Sequence, residues 1–360
     1  MGESFGNFYR GKRVLVTGHT GFKGGWLTEW LKLLGAQVTG FALPPSTRPN
    51  LFDAIALDRG MTSIFGDVRD RKALAEVFAD HQPEILIHLA GQSSIAKSQS
   101  DPIDTYAVNV MGTAHVLEEA RYIRPLRAVV VAWSEPAYER PPSQEQPKPT
   151  EATHLSTWPL ASSRSCAESV TAAYRCSFFS ELRSAAVSSI RSGELVGGGD
   201  WAEDRLVPEV VRAISADEPL MIRRPDFLYS SEHVLESVRV CLMLGQRLYE
   251  EGQVYAQPWT LLPDYQNAVT VHEVAKRIVT EWGKGELVLQ PDAEPGRGDS
   301  NRVQSSESAQ ARLRLGSKPA LTLDQTLEWT VEWYREYYKD AASAWRMTQE
   351  QLQCYTDLMT

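Results

Sequence analysis

Three glycines at a spacing of three residues form the first group that could do chemistry. Gly18, Gly21 and Gly24 follow the apolar run at 14–16 and precede a helical pattern. A glycine-rich turn between a strand and a helix lets backbone N–H groups approach a diphosphate, which lies at the positive end of the helix. The turn predicts a dinucleotide pyrophosphate site, although Gly-x-x-Gly-x-x-Gly is not the commoner Gly-x-Gly-x-x-Gly spacing; a purely structural turn is the alternative.

A hydroxyl and a carboxylate at the end of a later strand form the second group. Ser134 and Glu135 follow an apolar run at 126–132, and Tyr138 lies three residues further along the chain. Because the ligands of parallel sheets lie beyond the carboxyl ends of the strands, these side chains are placed for acid–base chemistry. We predict that Glu135 is the acid or base and that Ser134 orients it, with a structural role as the alternative for Glu135. Tyr138 is a further proton carrier if its loop brings it to the site, and a structural role is the favoured alternative.

These residues need a sheet to position them, and the chain supplies alternating strands and helices with short connections. Apolar runs predict strands and amphipathic patterns predict helices. The predicted strands lie at 14–16, 36–42, 63–67, 84–91, 126–132 and 183–190, and the helices at 22–34, 72–80, 101–121 and 158–179. This order is typical of an α/β, Rossmann-type doubly wound parallel sheet.

The length of 360 residues allows two packed domains. We predict a dinucleotide-binding domain at 1–192, to which 232–262 returns, and a smaller C-terminal substrate domain at 193–360. The second region has predicted helices at 206–216, 233–248, 270–282 and 321–338, a short strand at 220–223 and a polar helical tail at 340–360. Thr270 and Glu273 have the spacing of a capping box.

The second strand ends without the carboxylate that takes the ribose hydroxyls in many NAD sites. The loop that follows offers Ser46 or Thr47 as neutral hydrogen-bonding groups and Arg48 as a partner for a 2′-phosphate. NAD and NADP therefore both remain open, and an ordinary surface loop is the alternative for Arg48. Asp67 is predicted to contact adenine, and Asp70 to cap the next helix.

Composition argues against several partners and locations. The net charge of -9 without a basic stripe argues against nucleic acid. No apolar run approaches the ~20 residues of a membrane span, and the first ten residues lack the apolar core of a signal peptide. We predict a cytoplasmic protein. The four cysteines lack Cys-x-x-Cys spacing, which predicts free thiols and no metal site, and His88 is predicted to be a hydrogen-bonded core residue.

Six segments carry a family pattern: residues 17–24, 66–70, 109–113, 166–168, 197–208 and 233–236. Together they resemble the extended short-chain dehydrogenase/reductase family, in its branch of sugar-nucleotide 4,6-dehydratases, and the resemblance covers residues 11–338. It implies an NAD cofactor, a nucleotide-sugar substrate, and a homodimer formed through the helices at 101–121 and 158–179.

The resemblance also implies residue roles. The implied cofactor-binding residues are Gly18, Thr20, Gly21, Phe22, Lys23, Gly24, Asp67, Val68, Leu89, Ala90, Asn109 and Arg164. The implied substrate-binding residues are Lys97, Glu194, Asp204, Arg205 and Tyr229. In the family, a tyrosine of a Tyr-x-x-x-Lys motif takes the proton from the sugar 4-hydroxyl, and the lysine lowers the pKa of the phenol.

The chain departs from the family pattern at the catalytic positions. The tyrosine and lysine are replaced by Leu160 and Arg164, and a Thr-Ser-Asp-Lys segment becomes residues 133–136, with Glu135 for the aspartate. Leucine transfers no proton, whereas arginine keeps a positive charge in a different shape. Glu194 stands at an asparagine position, and residues 229–231 stand in place of Arg-Pro-Trp.

Three functions fit these departures. The first is a divergent enzyme that holds NAD(P) and acts on a sugar nucleotide or related metabolite, with Glu135 as acid or base and with Ser134, Tyr138 and Arg164 beside it. The second is an ordinary 4,6-dehydratase. The third is a catalytically silent cofactor-binding or scaffold homologue.

Overall fold

A seven-stranded sheet forms the centre of the molecule, in a computed structural model that describes residues 4–134, 158–181, 184–263, 268–290 and 304–359. The strand order is β11-β6-β5-β4-β1-β2-β3, and every neighbouring pair is parallel. The sheet strands are β1 (Arg13–Thr17), β2 (Gln37–Ala42), β3 (Thr62–Phe65), β4 (Ile85–His88), β5 (Ala128–Ser134), β6 (Ala186–Ser192) and β11 (Pro258–Leu261).

Helices connect these strands and cover both faces of the sheet. They are α1 (Phe22–Leu33), α2 (Leu51–Ala54), α3 (Arg71–His81), α4 (Ile95–Ser100), α5 (Pro102–Tyr106), α6 (Gly112–Ala120), α7 (Pro159–Phe178) and α9 (Val234–Glu251). Side chains alternate across β1: Val14 and Val16 join one core, and Leu15 joins the other. The predicted Rossmann-type architecture is confirmed.

The second region consists of short strand pairs and helices. Its strands are β7 (Glu194–Val196), β8 (Leu220–Arg223), β9 (Leu228–Tyr229), β10 (Ser231–His233), β12 (Val269–Thr270) and β13 (Leu287–Gln290). Its helices are α8 (Leu206–Ala216), α10 (Val271–Trp282), α11 (Gln304–Leu315), α12 (Leu323–Lys339) and α13 (Ser343–Leu358). The Thr270 and Glu273 capping box forms as predicted, and β11 returns to pair with β6.

The prediction of a uniform helix over 101–121 was wrong in one respect. A π-helical turn at Ala107–Met111 separates α5 from α6, and the hydroxyl of Thr113 donates to the carbonyl of Asn109 at 2.6 Å. Amphipathic spacing does not reveal such a turn, because one extra residue per turn barely alters the apolar face.

The predicted helix after residue 340 is present, but the prediction that it is a polar tail was wrong. The helix α13 buries one face, which includes Leu352 and Tyr355. The Tyr355 hydroxyl donates to the Glu236 carboxylate of α9 at 2.6 Å, and the Trp345 indole N–H donates to Glu29 of α1 at 3.2 Å. The C-terminal helix α13 is therefore hydrogen-bonded to α1, the helix that follows the glycine turn, and to α9. Within the described part of the chain, no helix has the length and apolarity to cross a membrane.

Candidate nucleotide and active site

The glycine turn between β1 and α1 is tightly enclosed at two of its three glycines. Gly18 has φ +82°, and a Cβ there would lie 2.6 Å from the backbone nitrogen of Ala90. A Cβ on Gly24 would approach the Gly18 carbonyl closer than 3.0 Å, whereas one on Gly21 would meet nothing nearer than 3.5 Å. The turn therefore packs against the end of β4 and leaves its backbone open at Gly21, a cradle that fits a dinucleotide pyrophosphate.

This geometry separates the effects of two glycine substitutions. Gly24→Ala should lower the free energy of unfolding by about 1–3 kcal/mol, because the new Cβ forces the turn away from α1, and it should also weaken dinucleotide binding. The matched control Gly21→Ala should leave the free energy of unfolding within about 0.5 kcal/mol of wild type. Urea denaturation and calorimetric titration measure both quantities, and equal stability of the two variants would contradict the predicted packing.

Three other residues of the turn face the protein. The Thr20 hydroxyl donates to the Leu43 carbonyl at 2.8 Å, and Phe22 packs against the core. The Lys23 amine is buried against the Cys241 thiol of α9, and burial lowers its pKa. In this structure the Thr20 hydroxyl joins the turn to the residue after β2, the Lys23 amine points into the protein, and the backbone of the turn is the part left for a phosphate.

The adenosine side of the turn is bounded by the ends of β2 and β3. Leu43 and Phe65 are large exposed side chains at these two strand ends. Asp67 accepts from Arg69 at 3.0 Å, and that interaction lowers the pKa of Asp67. Asp70 caps α3 by accepting from two backbone N–H groups, as predicted. The carboxylate assigned to adenine thus has an internal partner, and buried Val68 lies beside it.

A buried hydrogen-bond chain runs behind the end of β4. The two ring nitrogens of His88 lie 2.6 Å from the Thr17 hydroxyl and 3.1 Å from the Thr113 hydroxyl, which confirms a hydrogen-bonded core histidine. Burial lowers the pKa of His88 to about 4. Leu89 and Ala90, the next residues, are partly exposed, so they form open backbone next to Gly18.

Asn109 connects the end of β4 to α7. Its side-chain oxygen accepts from Gln92 N at 2.8 Å, and its amide nitrogen donates to the Ser163 hydroxyl at 2.9 Å. The Ser163 hydroxyl in turn donates to the Leu160 carbonyl at 2.7 Å. The first turn of α7 is therefore fixed beside the carboxyl edge of the sheet. Sequence reasoning missed Ser163 and Gln92, because nothing local marks a serine as a link between two helices.

The two positions that the sequence pattern aligns with the family tyrosine and lysine, Leu160 and Arg164, lie on this first part of α7. Leu160 is 0% exposed and Arg164 is 6% exposed. Two turns beyond Leu160, burial raises the pKa of Glu168, whose carboxylate accepts from Ser189 at 2.8 Å. Position 160 therefore carries a fully buried aliphatic side chain, and position 164 carries a buried positive charge.

Ser134 is the last residue of β5 and pairs with Ser192 of β6. The Ser192 hydroxyl lies 2.9 Å from the Ser237 hydroxyl, which joins this edge to α9. Glu135 and Tyr138, the other two predicted catalytic residues, lie outside the described residues.

The charged residues predicted for substrate binding are engaged within the protein. Lys97 pairs with Asp104 at 2.9 Å. Asp204 accepts from the Ser94 hydroxyl at 2.9 Å and from Ile95 N at 2.6 Å. Arg205 pairs with Asp200 at 2.9 Å. Burial alone would lower the pKa of the guanidinium, but Asp200, with Glu194 and Asp204, outweighs burial and raises it.

Glu194 and Tyr229 are buried, at 5% and 0% exposure. Glu194 lies on β7 opposite Ser231 of β10. Arg205 therefore lies among carboxylates, which offset its positive charge.

His19 is a further site residue that the sequence did not single out. Its ring is 0% exposed, and its Nε2 lies 2.8 Å from the Ser63 hydroxyl. A Cβ on Gly40 of β2 would clash with this ring. A glycine inside a strand often marks such a close approach, so Gly40 was the feature of the sequence from which this contact could have been predicted.

The parallel sheet order and the enclosed glycine turn at the carboxyl edge define a Rossmann-type nucleotide-binding fold. A model of the NAD dependent epimerase/dehydratase family matches residues 14–255, and the chain belongs to that family. It is 37% identical over 328 residues to the CDP-glucose 4,6-dehydratase of Salmonella typhimurium, with 89% of each chain covered.

Solved structures share the fold. One is a UDP-glucose 4-epimerase with UDP-glucose from Thermotoga maritima, with a TM-score of 0.70 and 19% identity over 90% of this chain and 98% of that one. Another is a UDP-glucose 4-epimerase from Brucella ovis in complex with NAD, with a TM-score of 0.70 and 20% identity over 89% of this chain and 97% of that one.

Proposed function

We propose that this chain binds a nicotinamide adenine dinucleotide and acts on a nucleotide sugar or related metabolite without the family's tyrosine–lysine pair. The observation that carries the proposal is the contrast between two positions. The enclosed turn at Gly18 and Gly24 retains the geometry of a dinucleotide cradle, whereas Leu160, on a helix turn fixed by Ser163, is a sealed residue that transfers no proton. Binding is thus supported and the usual base is absent.

The cofactor side of the proposal uses the glycine turn, the backbone of Leu89 and Ala90, and buried Arg164. The backbone of the turn would hold the pyrophosphate, and Arg164 would supply a fixed positive charge near the nicotinamide ribose. Bound NAD supplies a hydride acceptor. Family membership and the names of the similar proteins support this part, because those names include NAD-bound epimerases.

The catalytic side of the proposal uses the residues after β5. We assign Glu135 as the acid or base, because it follows directly after Ser134 at the carboxyl edge of the sheet, where ligands of such sheets bind. The Ser134 hydroxyl would orient the reacting group, and Tyr138 would be a secondary proton carrier. A carboxylate that gives and takes a proton is sufficient for general acid–base catalysis.

The proposed substrate-binding residues offer a diphosphate less positive charge than an unpaired arginine would. Arg205 is paired with Asp200 and stands near Glu194. A guanidinium with a carboxylate partner attracts a diphosphate less than a free one does. The similar proteins are named for CDP-glucose and UDP-glucose, so a nucleotide sugar remains the proposed class, with a weaker charge contribution from this cluster.

Purified protein tests the proposal in two steps. Denaturation followed by mass spectrometry should release a dinucleotide, and fresh protein given CDP-glucose should form no 4-keto sugar. Robust keto-sugar formation would favour the ordinary dehydratase and overturn the altered chemistry. A protein that neither holds nor binds a dinucleotide would overturn the cofactor assignment. Bound cofactor without turnover of any nucleotide sugar would support the second candidate, a silent cofactor-binding homologue, which the loss of a base at Leu160 favours.

Glu135→Gln tests the assigned acid or base once a substrate is found. The turnover number should fall by about 10²- to 10⁴-fold, while the amount of bound dinucleotide stays as in the wild type. Glu181→Gln changes an exposed carboxylate and should leave turnover unaltered. An unimpaired Glu135→Gln variant would assign the chemistry to another residue.

The proposal includes a homodimer formed through α5, α6 and α7. Ile103, Met111 and Phe178 on this helical layer are large exposed hydrophobic side chains, and contiguous apolar patches on a surface mark protein–protein interfaces. Light scattering on the same preparation should give twice the chain mass, and a monomer mass would remove this part of the proposal.

A further inference from the structure

We propose that the ribose subsite beside β2 does not select against a 2′-phosphate. The chain should bind NADP with an affinity within about tenfold of its affinity for NAD, with Arg48 as the residue that meets the phosphate. This inference rests on the proposed function, because it concerns the adenosine end of the same cofactor site.

The position of this subsite follows from the pairing of β1 with β2. Thr17 lies opposite Phe41, and Gly18 N donates to the Phe41 carbonyl at 2.9 Å. The Thr20 hydroxyl holds the Leu43 carbonyl at 2.8 Å. The residues just after β2 therefore lie beside the glycine turn, where Rossmann folds bind the adenosine ribose and where a carboxylate selects NAD.

No carboxylate follows β2 at this position. The strand is followed by Leu43, which is 52% exposed, and by Pro44, and the first acidic residue after them is Asp53. The Asp53 carboxylate accepts from the Asn50 side chain at 2.7 Å, and Asp67 on the neighbouring strand end is paired with Arg69. The subsite thus lacks the group that would hold the ribose hydroxyls and repel a phosphate.

Arg48 provides a positive charge in the same loop. The loop is held at both ends, by Thr20 at Leu43 and by the Asn50 amide, which donates to the Thr47 carbonyl at 3.1 Å. Arg48 is exposed, and it is the only arginine or lysine between residues 43 and 53. A guanidinium on such a loop can form paired hydrogen bonds to a phosphate.

Isothermal titration of the full-length protein, freed of bound nucleotide, with NAD and separately with NADP tests the inference. Dissociation constants within about tenfold of each other are expected. NAD that binds more than about a hundredfold more tightly than NADP would overturn the inference and leave the proposed function standing. Binding of neither dinucleotide would overturn the proposed function, and the inference with it.

Two variants assign the effect to residues. Arg48→Ala should weaken NADP binding by about tenfold and leave NAD binding unchanged, whereas Arg124→Ala, an exposed arginine before β5, should alter neither. Pro44→Asp should shift the preference toward NAD by about ten- to a hundredfold, because it adds a ribose acceptor and repels the phosphate. Melting temperatures measured alongside show that each variant is folded. Unchanged NADP affinity in Arg48→Ala would remove Arg48 from the subsite, and unchanged preference in Pro44→Asp would contradict the placement of the ribose.

Discussion

Leu160→Tyr combined with Arg164→Lys is expected to raise the conversion of CDP-glucose to a 4-keto sugar by about a hundredfold or more over wild type. The phenol would supply the general base that leucine cannot, and the lysine amine would lower the pKa of the phenol as a nearby cation does. The helix turn is fixed by Asn109 and Ser163, so a side chain at position 160 lies at a constrained place beside the carboxyl edge of the sheet.

The matched control separates the hydroxyl from the size of the ring. Leu160 is fully buried, so an aromatic side chain at this position costs about 1–3 kcal/mol of stability through overpacking. Leu160→Phe with Arg164→Lys carries the same cost without the proton-transfer group. The amount of keto sugar formed is measured from its absorbance in alkaline solution. If the phenylalanine control matched the tyrosine variant, or if the wild type were already as fast, the missing phenol would not be the cause of the altered chemistry.

Acidification from pH 7 to pH 4.5 is expected to lower the free energy of unfolding by several kcal/mol, through three buried histidines. Burial lowers the pKa of His19 and His88 to about 4 and that of His233 to about 3, from an ordinary value of 6.5. A lowered folded-state pKa gives stability that is fully present above pH 6.5, is lost progressively as the pH falls below 6.5, and is gone once the pH has fallen through the folded value. The unfolded chain then binds up to three more protons, which gives a slope of up to about 4 kcal/mol per pH unit.

Buried carboxyl groups act in the opposite direction. Burial raises the pKa of Glu168 and Glu232, so these groups bind protons more readily in the folded state, and their contribution is lost as the pH rises. A histidine variant separates the contribution of the histidines to the pH dependence of stability from that of the carboxyl groups. His88→Gln should reduce the slope by about 1.4 kcal/mol per pH unit. Urea titrations from pH 7.5 to 4.5 measure the slope, and a pH-independent wild type would refute the assignment.

The sequence was sufficient for features that depend on a few neighbouring residues. The apolar strands, the glycine turn, the Asp70 cap and the Thr270 capping box could be predicted, because periodicity, backbone freedom and capping act within one or two turns. The Rossmann-type order of the sheet followed from the alternation of such elements. The leucine at position 160 could likewise be identified from the sequence, because it is a different residue type within a recognised family pattern.

The tertiary structure decided which polar groups meet. Lys23 lies in the glycine turn, yet its amine is buried against Cys241 of α9. Arg205 is paired with Asp200 five residues earlier, while Asp204 beside it bonds to Ser94, 110 positions away. The sequence shows these side chains as a set of charges available to a substrate, because charge is a property of the residue. Their availability depends on partners that folding supplies.

The same reason explains the errors in the predicted helices. The face of α13 that buries Tyr355 against Glu236 is mixed in sequence, and only the approach of α9 makes it an interior face. The π-helical turn contains Asn109, whose side chain bonds to Gln92 after β4 and to Ser163 of α7. The sequence by itself determined the strands, the glycine turn and the residue types at positions 160 and 164. Their arrangement, and the exposure or pairing of each charge, depended on long-range contacts, because hydrogen bonds and burial between distant segments leave no periodic signal along the chain.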